Sequence, residues 1–131
     1  MIIDPQHLDP KSRYKLLIGS VVPRPIAWTS TVSPDGVLNL APFSFFTVAS
    51  RNPPMLCISV GPRPEREDPK DTLGNAEATG EFVVNIVSLP LSNTMHESSK
   101  GHPPEADEFE KAGLTPEPCE VVKAPGSARP T

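Results

Sequence analysis

Three features of the sequence predict a mainly β domain. Eighteen prolines are spread along 131 residues and not gathered into one tract, which favours many turns and disfavours long helices. Ile26, Trp28, Ser30 and Val32 alternate with Ala27, Thr29 and Thr31. One face is then mostly apolar and the other small and hydroxylic, with the period of a strand. Phe82 to Val87 (FVVNIV) is a β-branched, aromatic run of strand length. At this size residues 1–131 form a single domain, long enough to bury roughly two-thirds of its unfolded surface.

In chain order, residues 1–10 are a lead-in. Asp9 is placed to cap a short helix with Pro10 at its first position, running through Arg13, Tyr14 and Leu17 to a stop at Gly19. Val21, Val22 and Pro23-Arg24-Pro25 lead into the alternating strand. Ser33-Pro34-Asp35-Gly36 is a turn, because Pro presets φ at its second position and Gly accepts a positive φ. The return segment, Val37 to Ser50, carries Asn39, Ser44, Thr47, Ser50 and the rings of Phe43, Phe45 and Phe46. Ring-sized apolar surface beside short hydrogen-bonding side chains suits a flat heterocycle with a polar edge, and equally a half-buried hairpin.

Asn52-Pro53-Pro54 turns into an apolar run, Met55 to Val60, which Gly61-Pro62 stops. Residues 61–70 are charged, rich in proline and read as a loop. Asp71 to Thr79 permits a short helix, capped by Asp71 or Thr72, and Gly80-Glu81 turns into the strand at 82–87. Residues 88–99 are helical after Pro90, and 100–108 are a polar loop. Glu108 to Ala112 form a helical turn that Gly113 ends. Leu114 to Lys123 is an extended connection with Val121 and Val122 as a last short strand. Residues 125–131 carry no periodicity and read as a disordered tail. About four strands leave a sheet with open edges, incomplete or completed by a partner.

A net charge of −4 without any basic run argues against nucleic acid as a partner. No stretch approaches ~18 apolar residues, and the start lacks the cationic opening of a signal peptide, so the chain is read as cytoplasmic and off the membrane. Cys57 and Cys119 are read as reduced, Cys57 as a small buried hydrophobe in its strand. No metal site is expected: His96 and His102, near Glu97 and Glu105, fit no ligand spacing. Ser44 lies in no G-x-S-x-G elbow. Trp28 is read as core in preference to a stacking partner, and the three Phe divide between faces.

Several blocks then occur in one order. They are PRPIAWTST, the return G-x-x-N-L-A-P-F-S-F-F with its following N-P-P, and Lys70-Asp71-Thr72. After them come Gly80-Glu81-Phe82-Val83-Val84-Asn85, and Asp107-Glu108-Phe109-Glu110 before Ala112-Gly113-Leu114-Thr115-Pro116. Over residues ~10 to 125 this order resembles the flavin reductase-like, FMN-binding split-barrel family, in its flavoredoxin and flavoprotein oxygenase branch. The resemblance implies a six-stranded antiparallel Greek-key barrel, a homodimer, and FMN bound near the subunit interface, with NAD(P)H as electron donor.

Carried over by position, the resemblance lays the flavin ring and ribityl chain along Asn39, Ala41, Pro42, Phe43 and Ser44. Ser30 and Thr31 face the same pocket, and Lys70, Asp71 and Thr72 hold the phosphate. A phosphate asks for N–H donors at a helix start plus a cation, which Lys70 provides. Asp71 repels it and is assigned to capping. Arg24 stays open between a second cation and a solvated arginine. No residue is assigned a catalytic role, because the flavin ring carries the hydride.

The implied function is an FMN-dependent oxidoreductase, moving reducing equivalents from NAD(P)H to flavin or through bound FMN to a small acceptor. The pattern breaks near Pro125, where family members continue with further strands, so a chain lacking the C-terminal part of the barrel is expected. The alternatives are a non-enzymatic remnant that still binds FMN, or an interaction module without cofactor.

Overall fold

The computed structural model describes residues 2–62 and 70–130; most of the predicted 61–70 loop lies outside them. Helix α1 (Pro10–Ser20) starts as its sequence dictates, with the Asp9 carboxylate accepting the N–H groups of Lys11 and Ser12 at 3.0 and 3.1 Å. It runs through Gly19 and ends at Val21. Strands β1 (Ala27–Val32) and β2 (Leu38–Phe43) form the expected hairpin. At its turn the Gly36 N–H donates to the Ser33 carbonyl at 2.9 Å, and Gly36 adopts φ 87°.

The return segment is not one strand. It breaks at Ser44-Phe45, and β3 (Phe46–Arg51) pairs instead with β4 (Pro54–Ile58) in a separate two-stranded sheet. Helix α2 (Asp71–Thr79) has the predicted bounds and ends on Gly80 at φ 75°. Its N-cap is Lys70, not Asp71 or Thr72, and the Lys70 side chain makes no capping hydrogen bond. The run at 82–87 contributes only β5 (Val83–Asn85), leaving Phe82 and Ile86 exposed. A 3-10 turn (Leu89–Leu91), α3 (Ser92–Glu97) and the single turn α4 (Glu108–Lys111) follow. Strand β6 (Leu114–Glu117) pairs with β7 (Gly126–Pro130).

Among the described residues seven strands therefore stand where about four were expected, in antiparallel sheets ordered β2-β1-β5, β3-β4 and β6-β7. Among the described residues these sheets do not close into one barrel. Val121-Val122 is not a strand, and the stretch read as a disordered tail supplies β7. The approach to β7 is held by side chains from 40 residues upstream. The Glu81 carboxylate accepts the N–H groups of Lys123 and Ala124 at 2.6 and 3.2 Å, and the Asn85 amide oxygen accepts that of Ser127 at 2.6 Å.

Strand β1 is buried on both faces. Under one lies the core of Trp28, Leu40, Phe109 and Leu114, with Leu38, Val87, Leu91, Met95 and Ala112 packed against it. Burial of side chains this size contributes about 1.5–3 kcal/mol each. Trp28 is core, as expected: it is fully buried and its indole N–H donates to the Ser98 hydroxyl at 2.9 Å. Cys57, expected to be buried, is exposed on β4. That two-stranded sheet is uncovered on both faces along most of its length.

Candidate functional site

Antiparallel pairing places opposed residues on the same face. Thr31 opposes Asn39, Thr29 opposes Ala41, and Ala27 opposes Phe43; on the other face Ser30 opposes Leu40 and Trp28 opposes Pro42. The period of two thus divides the sequence-predicted set. Thr31, Asn39, Ala41 and Phe43 share the face toward α2, whereas Ser30 and Pro42 belong to the core side. Ser30 and Thr31 do not face one pocket. The Ser30 hydroxyl donates to the Pro125 carbonyl and accepts from the Asn85 amide at 3.0 Å.

Beneath α2 the polar residues are joined to one another. Thr72, buried, donates its hydroxyl proton to Asn39 Oδ1 at 2.7 Å, and Thr31 donates to the same oxygen at 3.3 Å. The Thr31 oxygen accepts from Asn75 at 3.1 Å. Asn39 Nδ2 donates to Glu108 Oε2 at 2.7 Å, and the Leu40 N–H donates to that same oxygen at 2.7 Å. This assembly fixes the Asn39 amide: its oxygen faces two hydroxyls and its nitrogen faces a carboxylate. A cavity of about 230 Å³ borders it, lined by Asp35, Asp71, Asn75, Glu105 and Glu108 among others. So acidic a lining suits no phosphate.

The remaining predicted residues are less buried. Ala41, Pro42 and Ser44 are half-buried at the end of β2, and Lys70 is half-buried at the start of α2. The Lys70 ammonium lies 5.3 Å from the Phe43 ring centre, so cation and strand end adjoin. The Leu73 and Gly74 N–H groups both donate to the Lys70 carbonyl, at 3.0 and 3.2 Å, closing the first turn. Asp71 is the first helical residue and not a cap.

Arg24 is not a solvated side chain. It donates to the carbonyls of Ile18 and Val21, both at 2.7 Å, and to the Ser44 hydroxyl at 3.3 Å, fastening the end of α1 to the corner after β2. Ser44 accepts there and keeps its own proton to donate.

A flavin mononucleotide needs donors for a polar ring edge, and a cation with N–H groups for its phosphate. Ser44, Lys70 and the start of α2 have that chemistry. Ser30, Thr31, Asn39 and Thr72 have their polar groups engaged inside the fold. Glu108 was not anticipated. It sits in an acidic DEFE block, and a one-turn helix has no periodic face to mark which acid points inward; here Asp107 caps the turn and Glu108 is buried.

The fold is that of the split-barrel flavin reductases, and the chain belongs to the flavin reductase like domain family, whose model matches residues 18–127. An uncharacterized protein of Aquifex aeolicus is 54% identical over 89% of this chain and 59% of its own length. Component B of nitrilotriacetate monooxygenase from Bacillus cereus superposes with a TM-score of 0.86 at 39% identity, covering 97% of this chain and 62% of that one. The 2-nitrobenzoate 2-nitroreductase NbaA of Pseudomonas fluorescens does so with a TM-score of 0.86 at 30% identity, over 99% and 61%. The chain spans about three-fifths of the length of each of these relatives. Among the described residues no helix is long and apolar enough to cross a membrane.

Proposed function

We propose that the chain binds FMN at the end of β2 and the start of α2, and serves as an FMN-dependent oxidoreductase of the flavin reductase type. It moves reducing equivalents from NAD(P)H to flavin, or through bound FMN to a small acceptor. One observation carries this reading. A half-buried surface of Ala41 and Ser44 adjoins Lys70, the N-cap of a helix to which the lysine side chain itself makes no capping bond.

In this reading Lys70 and the first turn of α2 hold the phosphate, and Ser44 donates toward the polar edge of the ring. Ala41 and Phe43 present apolar surface beneath it. Thr72 supports the site from below, because its one hydroxyl proton already goes to Asn39. When bound, the flavin supplies the hydride and one-electron chemistry. The protein's part is to bind, orient and shield. The names of two structural relatives, a monooxygenase component and a nitroreductase, support a small-molecule acceptor.

The functional unit is a cytoplasmic homodimer. Val48 and Leu56, paired across β3 and β4, are 67% and 50% exposed, an apolar pair that a second copy would cover.

The test is to mix the purified chain with FMN, pass it through gel filtration and then assay NAD(P)H oxidation. Flavin eluting with protein at the dimer mass, and FMN-dependent oxidation, are expected. A colourless protein peak at saturating FMN, with no oxidation above the free-flavin rate, contradicts the proposal.

A further inference from the structure

We infer that Glu108 is a positioning residue for the phosphate end of the flavin site, acting through Asn39 and Thr72 without touching the ligand. The inference rests on the reading of Lys70 and the start of α2 as that end. Glu108 lies in α4, remote in sequence from α2, and is 7% exposed. Its Oε2 takes both the Asn39 side-chain N–H and the Leu40 backbone N–H at 2.7 Å. A carboxylate receiving two N–H groups at one oxygen holds them more firmly than a neutral acceptor.

The consequence is directional. An asparagine amide has two faces of opposite polarity, and turning it over exchanges acceptor for donor. With Glu108 present, Asn39 Nδ2 must face the carboxylate, so Oδ1 must face α2. There it accepts the Thr72 hydroxyl at 2.7 Å, and Thr72 is the second residue of α2. Glu108 thereby fixes which way the bond tying the first turn of α2 to β2 runs, with Thr72 as donor and Asn39 as acceptor. With Glu108 gone, the Asn39 N–H loses its partner and the amide is free to turn; it then donates to the Thr72 oxygen in place of accepting from it, the bond is remade in a different geometry, and the start of α2, Lys70 included, shifts relative to Phe43.

This role predicts a ligand-specific defect. Riboflavin has the ring and ribityl chain of FMN without the phosphate, so the ratio of the two dissociation constants reports the phosphate end alone. The experiment titrates wild type, Glu108→Ala, Glu108→Gln and Thr72→Val with both ligands, following flavin fluorescence, after melting curves have shown which variants fold. In Glu108→Ala the preference for FMN over riboflavin is expected to fall at least tenfold. Glu108→Gln is expected to hold the preference within about fivefold of wild type, since one carbonyl oxygen can still accept both N–H groups.

Thr72→Val cuts the same chain one link later at nearly unchanged shape, and is expected to lose the preference as Glu108→Ala does. Equal weakening of both ligands in Glu108→Ala or Thr72→Val assigns Glu108 to general stability and overturns the inference. If Glu108→Ala does not fold, Thr72→Val decides: a reduced preference supports the inference and an intact one overturns it. A wild-type protein that binds both ligands equally refutes the phosphate assignment itself, an outcome the variants cannot mimic.

Discussion

Trp28 and Lys70 mark two kinds of residue whose roles follow from what surrounds them. Trp28 is sealed in the core with one polar atom, and Ser98 satisfies it at 2.9 Å. Replacing Ser98 with Ala strands a buried indole N–H, and urea unfolding is expected to show a loss of about 1–2 kcal/mol; an unchanged midpoint contradicts the account. Lys70 is half-buried beside the Phe43 ring. Lys70→Ala is expected to weaken FMN about tenfold, the order of one charge-assisted contact, while leaving the melting temperature within about 2 °C. At this scale Trp28 was legible, because a lone tryptophan in an alternating strand has few other places to go. Asn39 and Thr72 are assigned to the flavin site by motif position, yet in the fold they bond each other. A motif names residue types; only the tertiary contact between β2 and α2 says that the hydroxyl proton is already given away.

Two helix ends were legible, since capping is local chemistry, while the Gly19 stop and the Asp71 or Thr72 cap were not met. Asp9 and Pro10 begin α1, and Gly80 ends α2, where the sequence predicts. Gly80 sits at φ 75° with open space where a Cβ would go, so Gly80→Ala tests conformation alone. A loss of about 1 kcal/mol in thermal or urea unfolding is expected. Hydrogen bonds from Ser12, hydroxyl first and then backbone N–H, hold the Asp9 carboxyl below the usual aspartate range. A depressed carboxyl stabilises the folded state above its unfolded pKa. That contribution is lost as pH falls through the lowered value, so α1 amides are expected to lose exchange protection there. Asp9→Asn should remove this acid step.

Strands were less legible. The segment 37–50 reads as one extended piece, but the chain turns at Ser44-Phe45, where Arg24 from a different part of the fold bonds Ser44. Likewise Gly126–Pro130 has no local signal, and what orders its approach is Glu81 and Asn85. Pairing between segments this distant is not written in either segment's composition.

For the whole molecule, the order of motif blocks was more informative than any element, and it identified the family before any contact was known. Among the described residues the core is small, eight buried hydrophobic residues, beside exposed Val48, Met55, Leu56, Ile86, Leu89 and Val121. Apolar surface of this extent is a liability for an isolated monomer. Its proposed homodimer is expected at twice 14.1 kDa by light scattering; a monomer at all concentrations contradicts that part of the reading. The central claim is the place of the flavin, and amide chemical-shift mapping during an FMN titration tests it most directly. The account predicts saturable shifts at Ala41, Phe43, Ser44, Lys70, Asp71 and Thr72, with the Trp28 and Ser30 amides on the core side little moved. Shifts centred on the acidic cavity near Asp35 and Glu105, or no saturable shifts, would contradict it.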